Sequence, residues 1–418
     1  MSHALATSAQ SPVCRFCGTP LKHTFVDLGT SPLCQRHVTP ELFNHAESVY
    51  PLHVYVCGEC KLVQLPQYVA REEIFDGDYA YFSSFSQTML DHAKAYVEKV
   101  SSRFGLNAGS RVVELASNDG YLLQYFVKRG IKVLGIEPTA NTAAEAVKKG
   151  VDTLVAFFGV DTARSVRQSK GPADLILGNN VLAHVPDVND FVGGIKHLLA
   201  DDGTCTIEFP HLLQLIQHNQ FDTIYHEHYS YLSLTAVKTL FERHGLSVFD
   251  VEEWPTHGGS LRVFAKHADD ARPVNATVSA MLDRERQFGL TSLGRYQQFA
   301  EQVRQTKRVL LDFLIAAKRE GKTVVGYGAP GKGNTLLNYC GIRTDFIDYT
   351  VDRSPHKQGN FLPGSRIPIY APERIFETKP DYVLILPWNL RDEISEQMKG
   401  VRAWGGKFVV PIPSVEVF

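Results

Sequence analysis

The chain has 418 residues, 44% hydrophobic and 21% charged, with a formal net charge of −2. That length suits two to four domains of about 100–200 residues, each able to bury a core, and the composition excludes a disordered or fibrous chain. A charge this close to balance gives no general attraction to nucleic acid or to an anionic membrane, so neither is expected as a partner.

No apolar run approaches the roughly 18 residues of a membrane span, and residues 1–11 lack the apolar centre of a secretory signal; a cytoplasmic location is expected. Of seven cysteines, four form two Cys-x-x-Cys pairs, Cys14 with Cys17 and Cys57 with Cys60, while Cys34, Cys205 and Cys340 stand alone. In a reducing compartment such pairs indicate metal rather than disulfides. Each pair places two thiolates at the ends of a tight turn, and four soft ligands from two such knuckles make a closed tetrahedral zinc site. The intervening residues 26–54 are expected to be a folded insertion. A closed site leaves no position for a substrate, so its role is to staple a small domain. Thiol exchange is the weaker reading, since it needs only one pair. Cys34 is expected to be a small buried hydrophobe.

Residues 76–86, rich in aromatics and hydroxyls, show no periodicity of two or 3.6 and lead into a helix over 87–100. Such a segment can cover a polar pocket or plug a domain junction, and its composition favours the junction.

The run from Arg111 to Tyr125 reads as a strand reaching Glu114, a small polar turn of Ala116, Ser117, Asn118 and Gly120, and an amphipathic helix. Open α/β sheets hold ligands at such strand–turn–helix corners. The next strand, over 132–136, ends at Glu137, where a carboxylate can accept from both hydroxyls of an adenosine ribose. A nicotinamide fingerprint would put glycines where Ala116, Asn118 and Tyr121 stand. With no pyrophosphate to approach, side chains are tolerable in the turn, so S-adenosylmethionine (SAM) fits better than NAD. The alternative is a βαβ unit without a ligand.

A strand over 173–178 empties into the loop 179–187 at the carboxyl edge of the sheet, making Asn180 and His184 candidates to face the pocket. Phe157 and Phe158 either sandwich an adenine or pack in the core. A strand over 204–210 leads to Tyr225-His-Glu-His-Tyr-Ser-Tyr231, whose polar groups cannot all be buried without partners. His226 and His228, two apart, suit a strand face rather than the i, i+4 pattern of zinc proteases. General acid–base chemistry is the other use, a histidine being oriented by Glu227 or a tyrosine. In the run 256–262, Gly258 and Gly259 permit close backbone approach and Arg262 can pair with a carboxylate or phosphate, a hairpin turn being the alternative.

Residues 277–320 form a long charged helical pattern ending at Gly321. Gly326, Gly328 and Gly331 then satisfy G-x-G-x-x-G between a strand and a helix, with Asp352 about twenty residues on. Pro330 and Lys332 are unusual in a dinucleotide fingerprint, and a glycine turn at a helix N-terminus receives any phosphate. Arg353, Lys357 and the strand over 381–389 add cationic and aromatic groups there. A nucleotide diphosphate carried by a substrate suits this corner as well as NAD.

The two knuckles, Glu114-Leu-Ala-Ser-Asn-Asp-Gly120, Gly135-Ile-Glu-Pro138, the loop 179–187, Tyr225-His-Glu-His228, His257-Gly-Gly-Ser-Leu-Arg262 and Gly326-Tyr-Gly-Ala-Pro-Gly-Lys-Gly333 together resemble the sugar C-methyltransferase family, SAM-dependent enzymes acting on nucleotide-linked deoxyketosugars. The resemblance implies an α/β chain of three parts. These are a zinc-binding domain over 11–72, a class I Rossmann-like SAM methyltransferase domain over 73–276, and over 277–418 a helical connector with a Rossmann-like domain for the nucleotide sugar, usually a thymidine diphosphate. It implies His228 as base, with Glu227, Tyr225 and His184 around the sugar and Tyr79, or its neighbour Tyr81, closing the pocket. SAM then falls to Glu114, Ala116, Ser117, Asn118, Gly120, Glu137, Pro138, Phe158, Asn179 and Asn180. The substrate falls to His257, Gly258, Arg262, Gly328, Lys332, Asn334, Arg353 and Lys357, and zinc to the four paired cysteines. A carbon next to a ketone must lose a proton before it can attack a sulfonium methyl, and a positioned histidine can take that proton.

The alternatives are NAD-dependent oxidoreduction on the C-terminal fingerprint, a zinc-headed RNA methyltransferase, and a scaffold. The near-neutral charge and the lack of an Asn-Pro-Pro-Tyr type loop speak against the RNA enzyme. Nothing in the sequence requires an oligomer, and a monomer is compatible with it.

Overall fold

A computed structural model describes residues 12–75 and 81–418 of the chain. Among them, three sheets follow the order of the sequence. In the N-terminal sheet, β1 (His23–Ser31) pairs antiparallel with β2 (Tyr50–Val56), and β2 with β3 (Val63–Gln64). β2 alternates by twos, burying Leu52, Val54 and Val56 while Pro51, His53 and Tyr55 face outward, as a half-buried strand must.

The central sheet contains β4 (Arg111–Leu115), β5 (Lys132–Glu137), β6 (Thr153–Val155), β7 (Ala173–Asn179) and β8 (Leu199–Pro210). The short β9 (Ser230–Tyr231) intervenes in sequence, and β10 (Leu246–Trp254) and β11 (Ser260–His267) complete the sheet. Its order is β10-β11-β8-β7-β4-β5-β6, parallel from β6 to β8, with β11 antiparallel to both neighbours. The parallel strands are covered on both faces, which is why Val112, Val113, Leu175, Ile176 and Leu177 run without alternation and are all buried. Strand order reverses between β4 and β7, so the crevice of the sheet opens where Leu115 and Asn179 end.

β9 belongs elsewhere: it pairs with β3, Tyr231 opposite Val63 and Ser230 opposite Gln64. The N-terminal sheet therefore takes its fourth strand from the end of the polar cluster 225–231, and that cluster is built on the head rather than on the central sheet.

The 277–320 region is two helices instead of one. Ala276–Phe288 stops at Gly289, left-handed at φ 97°, and Leu293–Arg319 follows. Gly289 and Leu290 both donate to the Glu285 carbonyl, a helix stop that a residue without a Cβ adopts at no steric cost. The second helix buries Tyr296, Phe299, Val303, Leu310 and Leu314 at helical spacing, and Phe299 stacks on Phe25 of β1 at 4.5 Å.

The last sheet comprises β12 (Val324–Tyr327), β13 (Thr350–Val351), β14 (Ile369–Tyr370), β15 (Tyr382–Ile385), β16 (Lys407–Val410) and β17 (Glu416–Val417). Its order is β14-β13-β12-β15-β16-β17, parallel except for β17. Among the described residues no helix is long and apolar enough to cross a membrane.

Candidate active site

At the central crevice the chain turns sharply after β4. Ala116, Asn118 and Gly120 all have positive φ, at 55°, 49° and 73°. Glu137, at the end of β5, braces this turn: its carboxylate accepts from the Asn118 N–H at 2.8 Å and the Thr139 N–H at 2.9 Å. Pro138 lies between those contacts, half-buried. Buried atoms around the crevice lack partners, among them Glu114 Oε2, Ser117 Oγ, Asn180 Oδ1 and both amide atoms of Asn179. Native interiors seldom leave so many polar atoms unpaired together, and a polar ligand would satisfy them. Burial, with Glu137 and Asp119 adding repulsion, pushes the Glu114 carboxyl well above its usual range, so it can donate a hydrogen bond.

The aromatic segment does more than plug a junction. Asn118 Oδ1 accepts from the Ser83 N–H at 2.9 Å and Nδ2 donates to the Tyr81 carbonyl at 3.1 Å, so the described end of the segment lies over the turn. Tyr79 lies outside the described residues. The aromatic sandwich is not assembled: Phe158 stands edge-on to Phe191 at 5.4 Å, and Phe157 lies under the Arg71 guanidinium at 4.2 Å.

The second half of the site is the cluster 225–231. His228 Nδ1 lies 2.7 Å from the Thr223 carbonyl, which only accepts, so Nδ1 carries the proton and Nε2 the lone pair. Nε2 is buried and has no partner. His184, at the end of the turn Leu182–His184, stands edge-on to His228 with ring centres 4.6 Å apart, and Tyr225 tilts over it at 4.0 Å. Burial lowers the His228 pKa well below the usual value, with His184, His257 and Lys332 adding to it; burial likewise takes His184 and His257 to about 4. All three imidazoles are therefore neutral at neutral pH. Burial raises the Tyr225 phenol well above its usual value, keeping it a donor. Glu227 accepts from Cys34 at 3.4 Å, and burial, with that carboxylate, keeps Cys34 a neutral thiol. His226 faces away, its Nε2 donating to the Pro51 carbonyl at 3.2 Å.

The β10–β11 turn and the C-terminal domain bring His257 and Lys332 close enough to bear on His228. His257, at φ 55° in the turn Thr256–Gly258, is held by Gln220 donating to the Gly258 carbonyl at 2.7 Å. Lys332 donates to Asn389 at 2.7 Å and lies 4.6 Å from the Trp388 ring centre. Asn334 is buried with both amide atoms unpaired. Gly328 is required where it stands, because a Cβ would come within 2.6 Å of Pro387.

Other expected substrate residues are turned elsewhere. Arg262 is fully buried in the sheet, bonded to Glu208, with the Tyr96 and Trp254 rings 4.3 and 5.0 Å away. Against burial, which alone would raise it, Arg262 and His92 hold the Glu208 pKa down to about 2. Paired with Glu208 and fully buried, Arg262 presents no exposed surface to a substrate. Lys357 donates to the Ala329 carbonyl at 2.9 Å and pairs with Asp352 at 3.6 Å, while Arg353 is exposed near Glu393. Asp352 accepts from the Ala329 N–H at 2.8 Å, and the third glycine, Gly331, packs on Cys34 and Tyr225. The acid and glycine of the fingerprint thus brace the turn and the domain contact, an arrangement that does not favour NAD.

The four knuckle sulfurs lie within 4.8 Å of one another, with separations of 3.5, 3.5 and 3.7 Å for Cys14–Cys60, Cys17–Cys57 and Cys17–Cys60. A tetrahedron of zinc–sulfur bonds of about 2.3 Å has edges of about 3.8 Å, so the set fits zinc. Gln64 donates to Cys14 Sγ at 3.1 Å from the strand that pairs with β9. Residues that composition did not single out complete the site: Arg15, Gln220, Asp222 and Thr223 among them. The one sequence signal for the last three is their place just upstream of the 225–231 cluster.

Three family models match the chain in succession: a zinc binding domain over residues 14–75, a methyltransferase domain over 89–251 and a C-methyltransferase C-terminal domain over 255–413. The chain is 39% identical over 404 residues to C-methyltransferase NovU of Streptomyces niveus, covering 97% of this chain and 96% of the relative. It is 29% identical over 101 residues to a ubiquinone biosynthesis O-methyltransferase of Rhodopseudomonas palustris (strain BisA53), 24% of this chain and 40% of that one. Among solved structures, the PH0226 protein from Pyrococcus horikoshii OT3 aligns with a TM-score of 0.36 at 14% identity, covering 45% of this chain and 95% of that one.

Proposed function

From the premise that the chain belongs to the C-methyltransferase family and is a SAM-dependent C-methyltransferase with a zinc-binding head, we propose that it methylates a carbon next to the ketone of a nucleotide-linked deoxyketosugar, with His228 as the base. The observation that carries this reading is the fixed tautomer of His228. Its Nδ1–H is given to Thr223, and its Nε2 lone pair is buried, unpartnered and neutral at working pH.

SAM, when bound, supplies an electrophilic methyl group on a sulfonium. The protein's part is to make the acceptor carbon nucleophilic. His228 Nε2 takes the proton from that carbon, and the electron pair left behind moves onto the ketone oxygen. Tyr225, held protonated by burial, donates to that oxygen as charge develops. His184 bonds the Glu227 main chain, leaving its buried Nδ1 lone pair to accept from a sugar hydroxyl. Glu114, Ser117, Asn179 and Asn180 bind the donor at the crevice, and holding both ligands side by side is the main requirement for in-line transfer. Lys332, with Trp388 beside it, offers cationic and aromatic contacts to the nucleotide part.

The test is deuterium wash-in. In D2O without SAM, the enzyme should exchange the proton next to the ketone of a dTDP-linked 4-keto-6-deoxyhexose, and His228→Gln should abolish exchange. Exchange persisting in that variant would remove the base from the proposal.

A further inference from the structure

Residues 220–224, just before the catalytic cluster, bond to the turn at His257, to His228 and to the C-terminal domain. Gln220 Nε2 donates to the Gly258 carbonyl beside His257. Asp222 Oδ2 accepts from the indole Nε1–H of Trp388 at 2.7 Å. The Thr223 carbonyl accepts from His228 Nδ1, and the Ile224 carbonyl accepts from Thr335 Oγ1 of the helix Gly331–Cys340 at 2.8 Å. One turn, Phe221–Thr223, thus joins the base to the edge of the C-terminal sheet.

Asp222 is the unexpected member. It is fully buried, and its second oxygen, Oδ1, has no partner. An unpaired buried carboxyl oxygen is costly, and a turn needing only to be filled would carry an apolar side chain. Trp388, its partner, opens the turn after β15, lies against the Lys332 ammonium, and packs so closely on Gly258 that a Cβ there would meet the indole at 2.6 Å. The carboxyl group of Asp222 is therefore tied to the indole, and the carbonyl of the next residue to the imidazole of His228.

We propose that Asp222 is a positioning residue: through its hydrogen bond to Trp388 it fixes the Phe221–Thr223 turn so that the Thr223 carbonyl holds His228 with the Nε2 lone pair toward the cleft. This rests on the reading of His228 as the base. Asp222 touches no reacting atom; it acts through Thr223.

The test uses full-length protein labelled with [15N]histidine, His228 being assigned by its absence in His228→Gln. Long-range proton–nitrogen spectra should find wild-type His228 in the Nδ1–H form. Asp222→Ala and Trp388→Phe should each give a mixture of tautomers, and the double variant should be no worse than either. Asp222→Asn, which keeps an acceptor for the indole, should restore the Nδ1–H form. S-adenosylhomocysteine affinity should stay within about twofold throughout. Should Asp222→Ala fail to fold, Trp388→Phe, which keeps an aromatic ring in the same place, decides alone. A pure Nδ1–H tautomer in the folded variants overturns the proposal. Wild-type deuterium wash-in by His228→Gln would instead overturn the base assignment, leaving the tautomer result to decide the role of Asp222.

Discussion

Arg15 Nη1 donates to the carbonyl oxygen of Pro186 at 2.8 Å. The donor lies between the first two knuckle cysteines and the acceptor two residues past His184. The same guanidinium bonds the Leu65 carbonyl and lies 5.2 Å from the Tyr229 ring centre, next to His228. Asn189 returns the contact, donating to the Arg15 and Phe16 carbonyls at 3.0 Å each. The zinc knuckle thus grips both histidine-bearing segments. Arg15→Met should cost about 2 kcal/mol of stability, the worth of hydrogen bonds to a charged group, and lower turnover more than it weakens S-adenosylhomocysteine binding. Cys57→Ser, with loss of zinc, should do both more severely. Calorimetry and turnover on the same preparations check this; unchanged turnover in Arg15→Met would show that the knuckle is only a staple.

The pH profile follows from the buried imidazoles. A base must be unprotonated, and the His228 pKa is depressed, so kcat/KM should stay level through neutrality and fall only on the acid side of about 6.5. An acid limb centred above that value would contradict the assignment. Stability carries the same sign. His184 and His257 have folded pKa values of about 4, below the unfolded value, so the unfolded chain binds protons first as pH falls. Their contribution is present above about 6.5 and is lost between there and about 4. Thermal unfolding across that window should show the slope, and His184→Gln should flatten it.

Gly135 lies opposite Glu114 in the β4–β5 register, and a Cβ there would come 2.4 Å from Ser117 Oγ. Beside a methyl group the serine hydroxyl must turn away and its Cβ, 3.0 Å off, must give. Gly135→Ala should therefore cost about 1–3 kcal/mol through overpacking and raise the Kd for S-adenosylhomocysteine at least tenfold. Titration calorimetry decides; wild-type affinity would place the donor away from this turn.

What could be read from the sequence was local. Four cysteines in two tight turns, a polar turn after an apolar strand and a histidine among phenols each announce themselves within a dozen residues, because their chemistry depends on neighbours in the chain. What could not be read depended on distant pairing. β9 reads as part of the central domain until Tyr231 is found opposite Val63. Arg262 reads as an anion receptor because its partner, Glu208, becomes adjacent only through the β8–β11 register. Asp222 and Trp388 are 166 residues apart. The break at Gly289 was open to reading, but the charged helical pattern on both sides hid it.

The segment over the turn after β4 yields a kinetic prediction. Besides its bonds to Asn118, it is held by Lys149, whose Nζ donates to Ser84 Oγ at 2.6 Å and pairs with Asp119 at 3.0 Å, and Phe82 stacks toward His356 of the C-terminal domain at 6.4 Å. Lys149 also donates to the Asp119 carbonyl at 2.7 Å, so replacing it acts on the turn as well as on the segment. If the segment closes over bound donor, Lys149→Met should loosen it by removing its bond to Ser84, worth about 0.5–1.5 kcal/mol. S-adenosylhomocysteine should then dissociate roughly two- to tenfold faster with little change in association rate, because loosening a cover acts mainly on escape. Asn118→Ala should add to the effect, having two bonds to the same segment. Stopped-flow dissociation separates the cases: a wild-type off-rate in Lys149→Met means the segment bridges domains without gating the donor, while a slower on-rate alone would indicate a displaced turn.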